Sequence, residues 1–239
     1  MKTILLFILL LVAIDARSQS GFAFIELFTS QGDETCPVAE EILYRNVALE
    51  KKNGTKIFVL EYHVDYWNRL GWKDPLSKFY FSKRQENYSR VLSEKELYTP
   101  EVVINGTSCF SGTKETTLKE EIKKAILQPV QQTLSVVKDS LIGDTLYVTY
   151  STTKDNQNAV FRLAITESGI TTKVAAGENN NKTLVNNYVV RSLHSFDGIK
   201  RTAQVKIPVK GINFNSNVEM IAFVQSKQTM KILAVSELK

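Results

Sequence analysis

The residues able to do chemistry gather first in one short stretch, ELFTSQGDETCPVAEEIL, residues 26–43. It spells a strand, a tight turn and a helix that starts beside Cys36-Pro37. A cysteine in the first turn of a helix is a place for thiol chemistry, because the helix dipole and unpaired backbone N–H groups stabilise a thiolate. Thiol–disulfide exchange needs two cysteines at Cys-x-x-Cys spacing: an exposed one attacks, and a second resolves the mixed disulfide. Here the first position is Asp33 and only the second, Cys36, is cysteine. Asp33 cannot attack a disulfide. It can cap the helix, and its charge opposes a thiolate on Cys36. The pattern argues against dithiol exchange and leaves a one-thiol reaction at Cys36 as the enzymatic alternative.

His63 and Asp65 are the next candidates. At i and i+2 they share a face if their strand runs that far. A histidine beside Cys36 can activate its thiol. A His and an Asp without a clear third ligand do not specify a metal, and the sequence points to no cofactor. Trp67 and Trp72 follow in the loop. Together with Asp33, Pro37, Thr99 and Pro100, these residues are expected to ring a pocket around Cys36. A structural reading stands beside it: His63 and Asp65 hydrogen-bond the loop over residues 66–75, and the tryptophans pack it down. Glu26 and Glu61 interrupt apolar runs, and a buried carboxylate needs a partner. A Lys, an Arg or a backbone amide is the expected one for Glu26. Gly177-Glu178-Asn179 and Arg191 form either a structured loop with its clamp or a turn beside an exposed arginine. Cys109 is the other cysteine. It is expected opposite Val102, beyond disulfide reach of Cys36, so both thiols are expected free.

The elements that must position these residues change rhythm near residue 130. Residues 21–29 form an apolar run like a strand buried on both faces. Residues 36–50 carry Val38, Ile42, Leu43 and Val47 at helical spacing, and residues 56–64 form a second strand. Two strands joined by a helix make a parallel βαβ unit, and ligand sites collect at the carboxyl edge of such strands. A second helix is predicted over 75–92, with Leu76, Phe79, Tyr80, Tyr88 and Val91 on one side. Residues 101–104 and 107–111 flank Asn105-Gly106 as a hairpin, and a helix over 117–127 closes this half. Beyond it come short alternating runs separated by turn residues, the pattern of an antiparallel sandwich.

The chain has 239 residues, 43% of them hydrophobic and 23% charged, as expected of a folded globular protein. Its formal charge of +5 is interleaved rather than blocked, which argues against a nucleic-acid surface. Residues 1–20 read as a signal peptide: Lys2, an apolar run over 4–14, then small residues before Gly21. The run is too short to span a bilayer, so no membrane span is predicted, and a secreted or periplasmic location is. Asn-x-Ser/Thr sites at Asn53, Asn87, Asn105 and Asn181 matter only in a glycosylating host.

The element order over residues 21–128 is the thioredoxin-like order. Tyr98-Thr99-Pro100 stands where that fold carries a cis proline. The stretches ELFTSQG-x-x-x-CP, YHVDYWNRLGWKDP, RQ-x-x-Y at 84–88, YTPEVVING, GEN-x-x-x-TL and VVR at 189–191 together resemble a secreted bacterial family catalogued as domain of unknown function 1223. The resemblance implies an α/β thioredoxin-like domain over 21–129, then an all-β, sandwich-like domain over 130–239. The family usually has cysteine at the position of Asp33, and this chain departs there. Thioredoxins also use a buried acid in the first strand as a proton acceptor, at an offset of six from the first cysteine; Glu26 lies seven before Asp33. The expected function is a redox-inactive or non-classical protein that binds a peptide, protein or small ligand at the Cys36/Pro100 edge. The alternative is a monothiol oxidoreductase using Cys36.

Overall fold

A computed structural model describes residues 21–94, 96–130, 132–214 and 217–238. The expected signal peptide, residues 1–20, lies outside the described residues.

The first half runs β1 (Ala23–Thr29), α1 (Cys36–Lys52), β2 (Ile57–His63), a 3-10 turn (Tyr66–Leu70), α2 (Phe79–Leu92), β3 (Glu101–Ile104), β4 (Ser108–Ser111) and α3 (Glu115–Ile126). β1 and β2 pair in parallel, β3 pairs antiparallel with β1, and β4 with β3. Every residue of β1 is buried, because the helices cover both faces. Ala23, Ile25 and Leu27 pack with Leu43 and Val47 of α1 and Leu118 and Ile122 of α3. Phe24 and Phe28 pack with Phe81 and Tyr88 of α2 on the other face. The two-residue pleat thus assigns odd-numbered residues of β1 and β2 to the α1 side and even-numbered ones to the α2 side.

The second half contributes β5 (Leu134–Ile142), β6 (Thr145–Thr152), β7 (Asn156–Glu167), β8 (Ile170–Lys173), β9 (Thr183–Asn186), β10 (Val189–Ile199), β11 (Thr202–Pro208), β12 (Val218–Ser226) and β13 (Ile232–Leu238). These strands do not build an independent sandwich, as the sequence suggested. Val189 of β10 pairs in parallel with Glu61 of β2. One eight-stranded sheet therefore runs β13-β12-β7-β10-β2-β1-β3-β4 across both halves. A three-stranded sheet, β11-β6-β5, covers one face of its far end, where Leu146, Val148 and Ile207 meet Phe161, Leu163 and Val224. The sandwich packing is present, but one of its layers continues the first sheet. β10 escaped prediction because its sequence, VVRSLHSFDGI, alternates poorly and bulges against β7.

α2 also differs from expectation. Phe79, Tyr80 and Val91 are exposed, while Phe81, Arg84, Gln85 and Tyr88 are buried. The buried side joins the core residues Phe81 and Tyr88 to polar residues that meet buried acids. Arg84 Nε lies 2.6 Å from Glu26 Oε1, Tyr88 donates to the other Glu26 oxygen, and Gln85 donates to Glu101 at 2.7 Å. Glu26, on the α2 face of β1, has the arginine partner its burial required. An unpartnered buried carboxylate costs several kcal/mol.

Candidate functional site

The site sits where β1 and β2 end, on the α1 face. Thr29, Glu61 and His63 are odd-numbered and point that way. From α1, Cys36, Glu40 and Tyr44 stand four residues apart and line the facing stripe. Cys36 has no exposed surface. Its Sγ accepts the Ser30 N–H at 3.4 Å. Burial above all, then the charges of Asp33 and Glu40, push its thiol well above the ordinary range. Pro37 occupies the first turn of α1, where its missing N–H costs nothing.

Asp33 is not the side-chain cap of α1. Thr35 holds the cap position, without a side-chain cap bond. Asp33 instead folds the turn onto itself: its Oδ1 accepts from the Thr35 N–H at 2.8 Å and the Thr35 hydroxyl at 2.7 Å. Its Oδ2 accepts from the Thr99 hydroxyl at 2.6 Å, which ties the turn to the segment before β3. The Thr99–Pro100 peptide is cis, as expected, and Pro100 is buried.

His63 has no exposed surface, and both ring nitrogens are engaged: Nδ1 lies 2.7 Å from Asp74 Oδ2 and Nε2 3.0 Å from Glu61 Oε1. Burial works against its charge, but Asp74 and Glu61 outweigh it and hold the imidazole protonated up to about 10. Asp74 is buried too, yet His63 and the N–H groups of Gln31 and Leu76 keep its carboxyl below the ordinary value. Glu40 accepts from Thr29 at 2.7 Å and from Asn186 at 2.9 Å. Burial, then Glu61, raise its carboxyl well above the ordinary range. The partner of His63 is therefore Asp74 and not Asp65. β2 ends at His63, so Asp65 leaves the shared face and accepts from Ser82 at 2.5 Å. With both nitrogens occupied, His63 is not a base for Cys36. It locks the loop over residues 66–75 to the sheet.

Trp72 donates to Gln31 Oε1 at 3.3 Å, and Trp67 lies over Gly32, where an added Cβ would approach its Cβ to 3.4 Å. The second half closes the arrangement. Asn179 Nδ2 donates to the carbonyls of Gln31 and Asp33 at 3.0 and 2.9 Å, and Glu178 accepts the Glu34 N–H at 2.9 Å. Gly177, at φ 73°, lets the backbone pass so close to Trp72 that a Cβ would stand 3.2 Å from it. Gly177-Glu178-Asn179 is thus a clamp on the turn that precedes Cys36. Arg191 is not part of it; its Nε lies 3.4 Å from Glu167.

Cys36 and Cys109 are free. Cys109 stands opposite Val103 on the edge strand β4, where burial and Glu94 push its thiol to about 12. Among the described residues no group of three or more His, Cys, Asp or Glu is placed to hold a metal ion. No described helix is long and apolar enough to cross a membrane.

The family model described as a protein of unknown function, DUF1223, matches residues 24–225. The chain belongs to the DUF1223 family. A crystal structure of a structural-genomics target from Agrobacterium tumefaciens is similar over 92% of this chain and 95% of that one, at 24% identity and a TM-score of 0.68. That likeness shows a shared fold. A domain of the outer membrane lipoprotein Omp28 from Porphyromonas gingivalis matches 45% of this chain and 93% of its own, at 16% identity and a TM-score of 0.23. No curated protein matches. In this DUF1223 chain the recognisable stretches are largely network residues. Arg84, Gln85 and Tyr88 serve Glu26 and Glu101, Asp74 serves His63, and the Gly177–Asn179 stretch serves the turn. Glu40, Glu61, Asp74 and Asn186 were missed as site residues. The signals were there: Glu61 and His63 at i, i+2, and Cys36, Glu40 and Tyr44 at helical spacing.

Proposed function

We propose that this DUF1223 protein is an exported, thioredoxin-like protein whose redox site is silent and which acts by binding an extended peptide or protein segment at the rim of that site. The observation that carries the reading is the state of Cys36. It has no exposed surface, its thiol is pushed up by burial, Asp33 and Glu40, and Asp33 stands where an attacking cysteine would be. The thiolate is the nucleophile, so a buried thiol held protonated does not exchange. What the edge presents to solvent is different in kind. Val38 and Leu70 are 53% and 54% exposed, and Tyr66, Trp67 and Thr99 are partly exposed. Apolar and aromatic side chains beside an irregular backbone suit an extended polypeptide. The βαβ-α-ββ-α order of the first half supports the thioredoxin-like assignment, and the sequence of residues 1–20 supports export.

The two tryptophans of the chain, Trp67 and Trp72, both lie at this edge, so intrinsic fluorescence reports on it. Titration with a reduced, carboxymethylated unfolded polypeptide should give a saturable change in their emission. Reduction of a model disulfide should stay at background. Turnover that disappears in Cys36→Ala would overturn this reading and establish the monothiol oxidoreductase instead.

A further inference from the structure

A second site lies on the α2 face of the sheet, away from Cys36. Tyr80, Lys83 and Asn87 of α2 stand over Arg162 of β7 and Leu193 and Ser195 of β10, around an open cavity of about 350 Å³. That size suits a small-molecule ligand. Arg162 is its anchor. One of its Nη groups donates to Ser195 Oγ, but its Nε–H is buried with no hydrogen-bond partner among the described residues. It forms no ion pair there. The nearby buried carboxylate, Glu26, is already held by Arg84 and Tyr88. Arg84 also lines the cavity, enclosed by the rings of Tyr62, Tyr88 and Phe223 at 5.2–5.6 Å. Burial, then the charge of Arg84, lower Arg162 to about 10.

A guanidinium in this position is costly. It is half-buried, faces another cation and leaves its buried Nε–H donor unused. A carboxylate or phosphate group would supply what the protein does not: two acceptor oxygens for the guanidinium fork and a compensating charge. Lys83 at the mouth, paired with the half-buried Glu86 at 2.8 Å and lying over the Phe79 ring, adds attraction. The side-chain amide of Asn87 and the Tyr80 hydroxyl add donors. We infer that the cleft between α2 and strands β7 and β10 binds the carboxylate or phosphate group of a small molecule, with Arg162 as its principal contact.

The test uses the whole mature chain, with sodium phosphate and sodium acetate titrated separately at an ionic strength fixed by sodium chloride. The Arg162 Nε–H resonance in 1H–15N spectra should shift saturably with at least one probe, and the tighter probe identifies the oxyanion. Arg162→Met should raise the apparent Kd at least tenfold, the loss of one charge-assisted pair of contacts, with Tm unchanged or higher. Should Arg162→Met not fold, Lys83→Met on the exposed rim is expected to weaken binding several-fold. A response equal to that of chloride would overturn the inference. So would binding that both variants leave unchanged.

Discussion

Asp74→Asn tests the frame that keeps Cys36 shut. Asp74 accepts from His63 at 2.7 Å and from the N–H groups of Gln31 and Leu76, each at 2.9 Å. Asparagine keeps one acceptor oxygen, sets an N–H₂ against a donor, and leaves a buried imidazolium with Glu61 alone. Removing one partner of a buried pair costs about 3–5 kcal/mol. Holding His63 protonated up to about 10 rather than 6.5 corresponds to roughly 5 kcal/mol shared between Asp74 and Glu61, so Asp74 accounts for part of it. For a domain of this size a loss of about 3–5 kcal/mol corresponds to a Tm loss of about 6–20 °C. The sign against pH follows from the two shifts. His63 is raised, so its contribution is complete below pH 6.5 and fades toward pH 10. Asp74 is lowered, so its contribution is complete above its ordinary value of 3.8 and fades below it. The difference between wild type and variant should therefore be greatest between about pH 4 and 6.5 and shrink on either side. Urea unfolding followed by tryptophan fluorescence measures it directly, because Trp67 and Trp72 sit in the loop that Asp74 anchors. A loss below about 1 kcal/mol that is flat with pH would refute the buried ion-pair account.

Arg84→Met should cost about 3–5 kcal/mol in chemical unfolding, because it strands the Glu26 carboxylate, and adding Glu26→Gln should restore part of it. Asn179→Ala removes both side-chain donors to the turn before Cys36; stability should fall by about 1–3 kcal/mol, and the rate of Cys36 alkylation should rise while the fold is kept. Asp33→Cys should form a disulfide with Cys36 under mild oxidation, visible by mass spectrometry after alkylation, since the Cys36 N–H lies 3.2 Å from the carbonyl of residue 33 in one tight turn. A folded Asp33→Cys protein that stays fully reduced would contradict that turn geometry.

Local periodicity revealed much of the fold. The run AFIELFT, the stripe Leu43–Val47 and the Asn105-Gly106 hairpin are decided by neighbours in sequence, and they appear where pattern places them. The joining of the two halves was not legible, because it rests on Val189 reaching Glu61 across most of the chain, and no short-range signal encodes that. The side of α2 that is buried was misread for a related reason. Arg84 and Gln85 look like surface residues until Glu26 and Glu101 are seen to need them. At the site, Asp33 bonds Thr99 and its charge acts on Cys36. Asp65 does not join them, because the strand stops at His63 and the loop returns Asp74 in its place. An acid brought in by a loop is invisible to a spacing rule.

The central claim, that the thiol of Cys36 is closed off, is tested most directly by labelling it. In a Cys109→Ser background the single remaining thiol can be followed with a chromogenic disulfide reagent in native buffer and across a urea series. The account predicts labelling in native buffer far slower than in the unfolded chain, with a rate that rises in step with unfolding. Fast labelling of folded protein near neutral pH, together with turnover of a model disulfide, would contradict it.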